Sequence, residues 1–218
     1  MLTGLSRYTR PGSPAILAAL TCAVMTIAFA ATAAEPYVAS PAAWSELEFR
    51  VLESNDTRTL VEVLIPAPQF RSVDIQGSTF DVVRVPGAGP LGEPGEPLMS
   101  VAGTLIAIPP ASGVELRILE EAHNVFAGIT PIPARTDEWT IDQPLALDVA
   151  SYSRQGFSLA QAEVGEPAIM RDFRVVPLRV FPLPYDASTQ ELRATRRLLV
   201  ELDYSSAGRT NIKTSQRP

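Results

Sequence analysis

Residues 171–204 read RDFRVVPLRVFPLPYDASTQELRATRRLLVELDY, and they constrain the fold more than any other stretch. Two apolar arms, residues 173–181 and 191–204, flank Pro182, Pro184 and a polar turn. Successive side chains of a strand point to opposite faces. Val176, Leu178 and Val180 therefore share one face of the first arm, and Arg174 and Arg179 fall on different faces. Leu198, Val200 and Leu202 share one face of the second arm, opposite Arg197, Leu199, Glu201 and Asp203. Neither proline can donate a ladder hydrogen bond, so the first arm ends at Pro182. Asp186 and Ser188 can bond their own backbone, which makes 185–189 a turn. The stretch reads as one β-hairpin that anchors the rest of the chain, with Val176 and Val200 facing another sheet.

The remainder repeats this pattern in shorter pieces. Twenty prolines are spread among short apolar runs, which favours strands and loops over helices. Residues 44–52 and 60–65 suit a first hairpin around the turn cluster Ser54-Asn55-Asp56-Thr57. Residues 73–77 and 80–85 make a second strand pair. Gly and Pro punctuate residues 87–97, which are expected as a surface loop. That loop lacks the Lys-Ser/Thr of a phosphate-binding loop, and Pro94 and Pro97 remove amide donors. Residues 103–108 form a buried strand stopped by Pro109-Pro110. Residues 114–119 return as its hairpin partner, with Val114, Leu116 and Ile118 on one face. Residues 130–142 combine Pro131, Pro133 and several charges without periodicity, and are expected as an exposed loop. Residues 158–162 could hold one helical turn. Many short strands with regular turn signals imply an all-β, antiparallel two-sheet β-sandwich over residues 44–204. A folded part of roughly 170 residues buries about 70% of its unfolded surface, enough to be stable without a metal or a disulfide.

Residues 1–33 read as a helical signal peptide. Arg7 and Arg10 open it, residues 15–30 are apolar, and no charge occurs until Glu35. Ala31-Thr32-Ala33 is a small-x-small site that places cleavage between Ala33 and Ala34, with Ala28-Phe29-Ala30 as the alternative. The apolar run is shorter than the ~20 residues of a membrane span. The chain has a single cysteine, Cys22, inside this leader. The mature chain is then without disulfides or a thiol nucleophile. Removing Arg7 and Arg10 takes the formal net charge from −6 to −8. Such a surface disfavours nucleic acid and anionic membranes. Residues 34–43 are a Pro- and Ala-rich leading segment, expected to be mobile, and 205–218 a polar, flexible tail.

The residues offer little for catalysis. His123 is the only histidine. No serine stands in a Gly-x-Ser-x-Gly elbow, and Glu120 and Glu121 suit His123 as a solvated strand-end residue. One histidine without a mature cysteine serves zinc poorly, and Asn55-Asp56 and Asp137-Glu138 are too sparse for calcium. No metal or other cofactor is expected. Trp44 precedes an apolar strand and suits the core. Trp139 sits in a charged loop, where it suits a protein interface as well as a ligand such as a sugar.

Two blocks carry a family resemblance. Arg171-Asp172-Phe173-Arg174-Val175-Val176-Pro177-Leu178-Arg179-Val180, Pro182-Leu183-Pro184-Tyr185-Asp186 and Glu191-Leu192-Arg193 form one. The other is Gly87-Ala88-Gly89-Pro90-Leu91-Gly92-Glu93-Pro94-Gly95-Glu96-Pro97-Leu98 followed by Leu105-Ile106-Ala107-Ile108-Pro109-Pro110. In this order they resemble the N-terminal propeptide of gingipain-type cysteine peptidases. Met99 departs from the family's second proline. The resemblance implies a β-sandwich that precedes a caspase-like cysteine peptidase domain, helps it fold and covers its active site until processing. The partner is then the catalytic domain of a cognate cysteine peptidase, in an exported, periplasmic or secreted setting. The chain itself is not an enzyme on this reading, since it lacks a catalytic Cys/His pair. Some members of the family are Arg-specific, which makes Arg135, with Trp139 beside it, an inhibitory-loop candidate. Arg84 and Arg154 are weaker, since each adjoins an expected strand. Arg209-Thr210 is the candidate processing bond. The alternatives are a stand-alone secreted β-sandwich for binding or adhesion, and a hydrolase.

Overall fold

Two Val- and Leu-rich strands lie face to face at the centre of the protein, one from each of two antiparallel sheets. The structure is a computed structural model, and it describes residues 46–136, 140, 143–157 and 159–204. In chain order the strands are β1 (Glu48–Ser54), β2 (Arg58–Leu64), β3 (Gln69–Ile75), β4 (Ser78–Arg84), β5 (Gly89–Leu91), β6 (Met99–Ile108), β7 (Glu115–Ala127), β8 (Ala162–Val164), β9 (Ala168–Met170), β10 (Phe173–Val180), β11 (Tyr185–Asp186) and β12 (Glu191–Asp203). The first sheet runs β1-β2-β12-β7, with short β11 beside the start of β12. The second runs β5-β6-β10, and β8 and β9 share the far side of β10. A separate two-stranded arm is made of β3 and β4.

The core follows the alternation read from the sequence. Val176, Leu178 and Val180 of β10 and Leu198, Val200 and Leu202 of β12 are all fully buried in one cluster. Val61 and Val63 of β2 and Ile106 and Ile108 of β6 extend it within each sheet. Burying such a side chain is worth ~1.5–3 kcal/mol, so these few positions supply much of the driving force. The outward face of the first sheet is polar. Arg197 donates to Glu62 at 2.7 Å and to Glu120 at 2.6 Å, bridging three strands.

The expected anchoring hairpin is corrected. β10 and β12 lie in different sheets: β10 pairs with β6, β8 and β9, whereas β12 pairs with β2, β7 and β11. The prolines that end β10 carry the chain across the sandwich. The carbonyls of Pro182 and Pro184 accept from the amides of Thr195 and Arg193, both at 2.9 Å. Phe181 and Leu183 are buried on the way. The hairpin that does form is β11–β12, whose turn Asp186 closes by accepting from the Ser188 amide and hydroxyl.

The expected hairpin of residues 103–108 and 114–119 is corrected in the same way. β6 belongs to the second sheet and β7 to the first, and β7 runs on to Ala127. The arch between them is tied from inside. Arg174 lies on the inward face of β10 and is 2% exposed. Its Nη1 donates to the carbonyls of Pro109 at 3.0 Å and Ser112 at 2.6 Å. Burial lowers its pKa, and the two carbonyls replace lost solvation.

Three smaller expectations also change. The punctuated stretch 87–97 contains the three-residue strand β5, paired with the start of β6. The only helical turn among the described residues is the 3-10 turn Ser151–Ser153, and Ala162 begins β8 instead. Pro177 sits in a central strand because the break between β8 and β9 falls opposite it. Its carbonyl accepts from the Gly165 amide at 2.9 Å, and a Cβ on Gly165 would come within 2.5 Å of its ring. The hairpins β1–β2 and β3–β4 form as expected.

Truncating Val176 or Val200 to Ala should destabilise the protein by about 1–3 kcal/mol in denaturant melts. Val51→Ala, on an exposed face, should stay within about 0.5 kcal/mol. Comparable losses at all three positions would contradict the assignment of faces.

Candidate functional site

The loop that carries Arg135 is rigidly founded. Residues 131–134 are buried, which corrects the expectation of an exposed loop beginning at Thr130. Two proline-centred bridges explain how. Pro131 stands opposite Asp81 in a parallel bridge, and its neighbours make the bonds: Asp81 N to Thr130 O at 2.7 Å, and Ile132 N to Asp81 O at 2.9 Å. Pro133 stands opposite Pro97 in an antiparallel bridge. There Leu98 N donates to Ile132 O at 2.8 Å and Ala134 N to Glu96 O at 2.7 Å. At both positions the proline occupies the place whose amide is not used, so no ladder bond is lost.

Two tyrosines pin the same segment. Tyr185 donates to the carbonyl of Ile129 at 3.0 Å, and Tyr152 to that of Pro131 at 2.6 Å. Burial pushes both phenols above their ordinary value, so they stay protonated donors at neutral pH. Ile132 packs with Ile75 and Phe80 in a second apolar cluster. The last support comes through Gly95. Its amide donates to Ala134 O and its carbonyl accepts from Asp148 N, both at 2.9 Å. Gly95 sits at φ +94, and a Cβ there would lie 3.2 Å from the Asp148 nitrogen. Asp148 is itself held by Ser151 Oγ, which donates to Oδ2 at 2.5 Å, and by the Ala150 amide. The Ser151 bond, ahead of the backbone amides, keeps this carboxyl below its usual 3.8.

Arg135 follows the last of these bonds and is exposed. It stands at the rim of a groove of about 970 Å³, together with Arg71 and Arg84. Arg84 is the last residue of β4. Arg154 is exposed and follows the 3-10 turn; it does not adjoin a strand. Trp44, Trp139, the Ala33–Ala34 bond and the Arg209–Thr210 bond lie outside the described residues. His123 is inside β7, not at its end, and its Nδ1 is 2.6 Å from Glu121 Oε1. Among the described residues no group of three metal-ligating side chains converges.

The architecture is an all-β, two-sheet sandwich presenting a braced loop. The chain belongs to the Propeptide_C25 family, whose profile matches residues 43–216. Lys-gingipain HG66 and Lys-gingipain W83 of Porphyromonas gingivalis are 27% and 26% identical over 152 residues, 64% of this chain. The chain spans 9% of the length of these curated relatives. Among solved structures, the complex of Porphyromonas gingivalis RgpB pro- and mature domains matches with a TM-score of 0.70 and 18% identity, over 78% of this chain and 89% of that one. A structure on the zymogenic latency of gingipain K from Porphyromonas gingivalis matches with a TM-score of 0.62 and 22% identity, over 75% and 96%. These likenesses bear out the family resemblance and the sandwich.

The brace predicts a pH dependence. A carboxyl whose folded pKa is depressed contributes stability above its unfolded value, and loses it as pH falls through the folded value. Asp148→Asn should therefore lower the melting temperature at pH 7. The difference from wild type should shrink as pH drops below 3.8, the ordinary value of this group. A difference that stays constant down the acid limb would remove Asp148 as a charged support.

Proposed function

We propose that this chain is an exported prodomain of a gingipain-like cysteine peptidase, which assists folding of the catalytic domain and covers its active site until processing. The match to Propeptide_C25 across the whole described domain carries this reading. The domain layout that accompanies it is a signal peptide at 1–33, a leading segment at 34–43, the sandwich at 44–204 and a linker at 205–218. Among the described residues no helix is long and apolar enough to cross a membrane.

Arg135 offers its guanidinium to the specificity pocket of the peptidase. The bonded foundation at residues 130–134 supports this role, because a pre-ordered loop loses little entropy on docking. Trp139 would add an aromatic anchor beside it. While the two domains are linked, the effective concentration reaches the millimolar range, so modest contacts suffice to keep the site closed. Cutting the link, at Arg209-Thr210 on this reading, lowers that concentration and permits release.

The test supplies the cognate peptidase domain in trans. The wild-type chain should inhibit, and Arg135→Ala should raise the inhibition constant at least tenfold, about 1.4 kcal/mol, with an unchanged melt. Absence of inhibition by the wild type would sink the prodomain reading. Unaltered inhibition by Arg135→Ala would instead leave coverage by the whole surface as the mechanism.

Processing has its own readout. Limited digestion by an Arg-specific peptidase should produce a fragment ending at Arg209 by mass spectrometry, and Arg209→Gln should abolish it. First cleavage within residues 46–204 would argue against this bond.

A further inference from the structure

The groove beside Arg135 has a chemistry of its own. Val85, Met99 and Ile132 make a buried apolar floor. One wall is the β3–β4 arm. By alternation Gln69, Arg71, Val73 and Ile75 share the face that lines the groove, paired across the arm with Arg84, Val82, Phe80 and Ser78. The opposite face of the arm is held from behind, where Phe70 packs on Phe126 of β7 with ring centroids 4.8 Å apart. Arg71 pairs with Val82, two residues before Arg84, so the two guanidiniums are diagonal neighbours on the groove side. Both are exposed, and neither has an ion-pair partner among the described residues. The groove's one carboxylate among these residues, Asp74, accepts from Thr79 Oγ1 at 2.6 Å.

Like charges placed together across a strand pair repel one another. Here they sit in a chain whose formal net charge is −6. Five other arginines of the sandwich, Arg50, Arg58, Arg117, Arg179 and Arg197, have a carboxylate within reach. Two unmatched guanidiniums above an apolar floor complement an extended segment whose groove-facing side chains, every second one, include both carboxylates and apolar groups. The backbone favours the same occupant. Among the described residues β3 pairs only with β4. Its other edge leaves a row of N–H and C=O groups over seven residues, about 23 Å at ~3.3 Å per residue. A strand added to that edge would direct every second side chain to the groove side.

We propose that this groove binds an extended, carboxylate-rich peptide segment of a partner protein, laid along β3, with acidic side chains on Arg71 and Arg84 and apolar ones on the floor. Arg135 lines the same groove, but the proposal rests on Arg71, Arg84 and the β3 edge and does not require peptidase inhibition. It is tested with the full chain and a short fluorescein-labelled peptide in which every second side chain is in turn Glu and Val, with Thr between them, read by anisotropy. Binding should saturate and should weaken as salt shortens the Debye length. Arg71→Glu combined with Arg84→Glu should cost at least tenfold in affinity, about 1.4 kcal/mol, with an unchanged melt. Arg71→Gln with Arg84→Gln should lose less, and serves should the charge reversal not fold. Failure of the acidic peptide to saturate, as when residues preceding Glu46 already fill the groove, would overturn the proposal. So would equal binding of a peptide with Lys in place of Glu, equal binding of an oligothymidylate, or affinity indifferent to both double substitutions.

Discussion

The contact between the inward faces of β10 and β12 holds the protein together. Val176, Leu178 and Val180 meet Leu198, Val200 and Leu202 in one cluster with no exposed atoms of consequence. Each strand is central in its own sheet, so each is covered on both edges by hydrogen-bonded neighbours and on one face by the other sheet. Everything else is placed relative to that pair. The buried charge of Arg174 is tolerable because it sits at the end of the strip, where the arch carbonyls of Pro109 and Ser112 receive it.

Proline has a constructive role throughout. In isolation each proline removes an amide donor and would weaken a sheet. Here the prolines occupy positions where that donor has no use. Pro177 faces the break between β8 and β9, Pro131 and Pro133 sit at bridges whose bonds come from their neighbours, and Pro182 and Pro184 serve as acceptors in the crossing between sheets. The result is a set of connections with few accessible conformations in the unfolded chain and a braced loop in the folded one.

That bracing links the fold to its proposed use. A domain that must cover a partner and later leave gains little from a loop that orders only on contact, because ordering costs affinity. Residues 129–134 are fixed from four directions: by β4, by Glu96 and Leu98 ahead of β6, by Tyr152 and Tyr185, and through Gly95 by Asp148. Arg135 and the groove with Arg71 and Arg84 stand on the same foundation, so the two proposed docking features share one edge of the sandwich.

The sequence by itself determined which faces of the two central strands are buried. The two-residue period of the Val and Leu strips, the first hairpin around Asn55, the sandwich class and the family resemblance were all legible in it, because alternation and turn chemistry are local properties. It did not determine which strand lies beside which. Residues 173–181 and 191–204 have the same pattern whether they pair edge to edge or stack face to face, since both arrangements bury the same side chains. Only the tertiary structure decided for stacking, through backbone bonds from Thr195 and Arg193 to the proline carbonyls. The burial of Pro131 to Ala134 was hidden for a related reason. Its single hint was the alternation of Pro131 and Pro133 with Ile132 and Ala134, and its partners at Asp81 and Pro97 are distant in the chain. Arg71 and Arg84 likewise became neighbours through cross-strand register, which long-range pairing sets and no local pattern records.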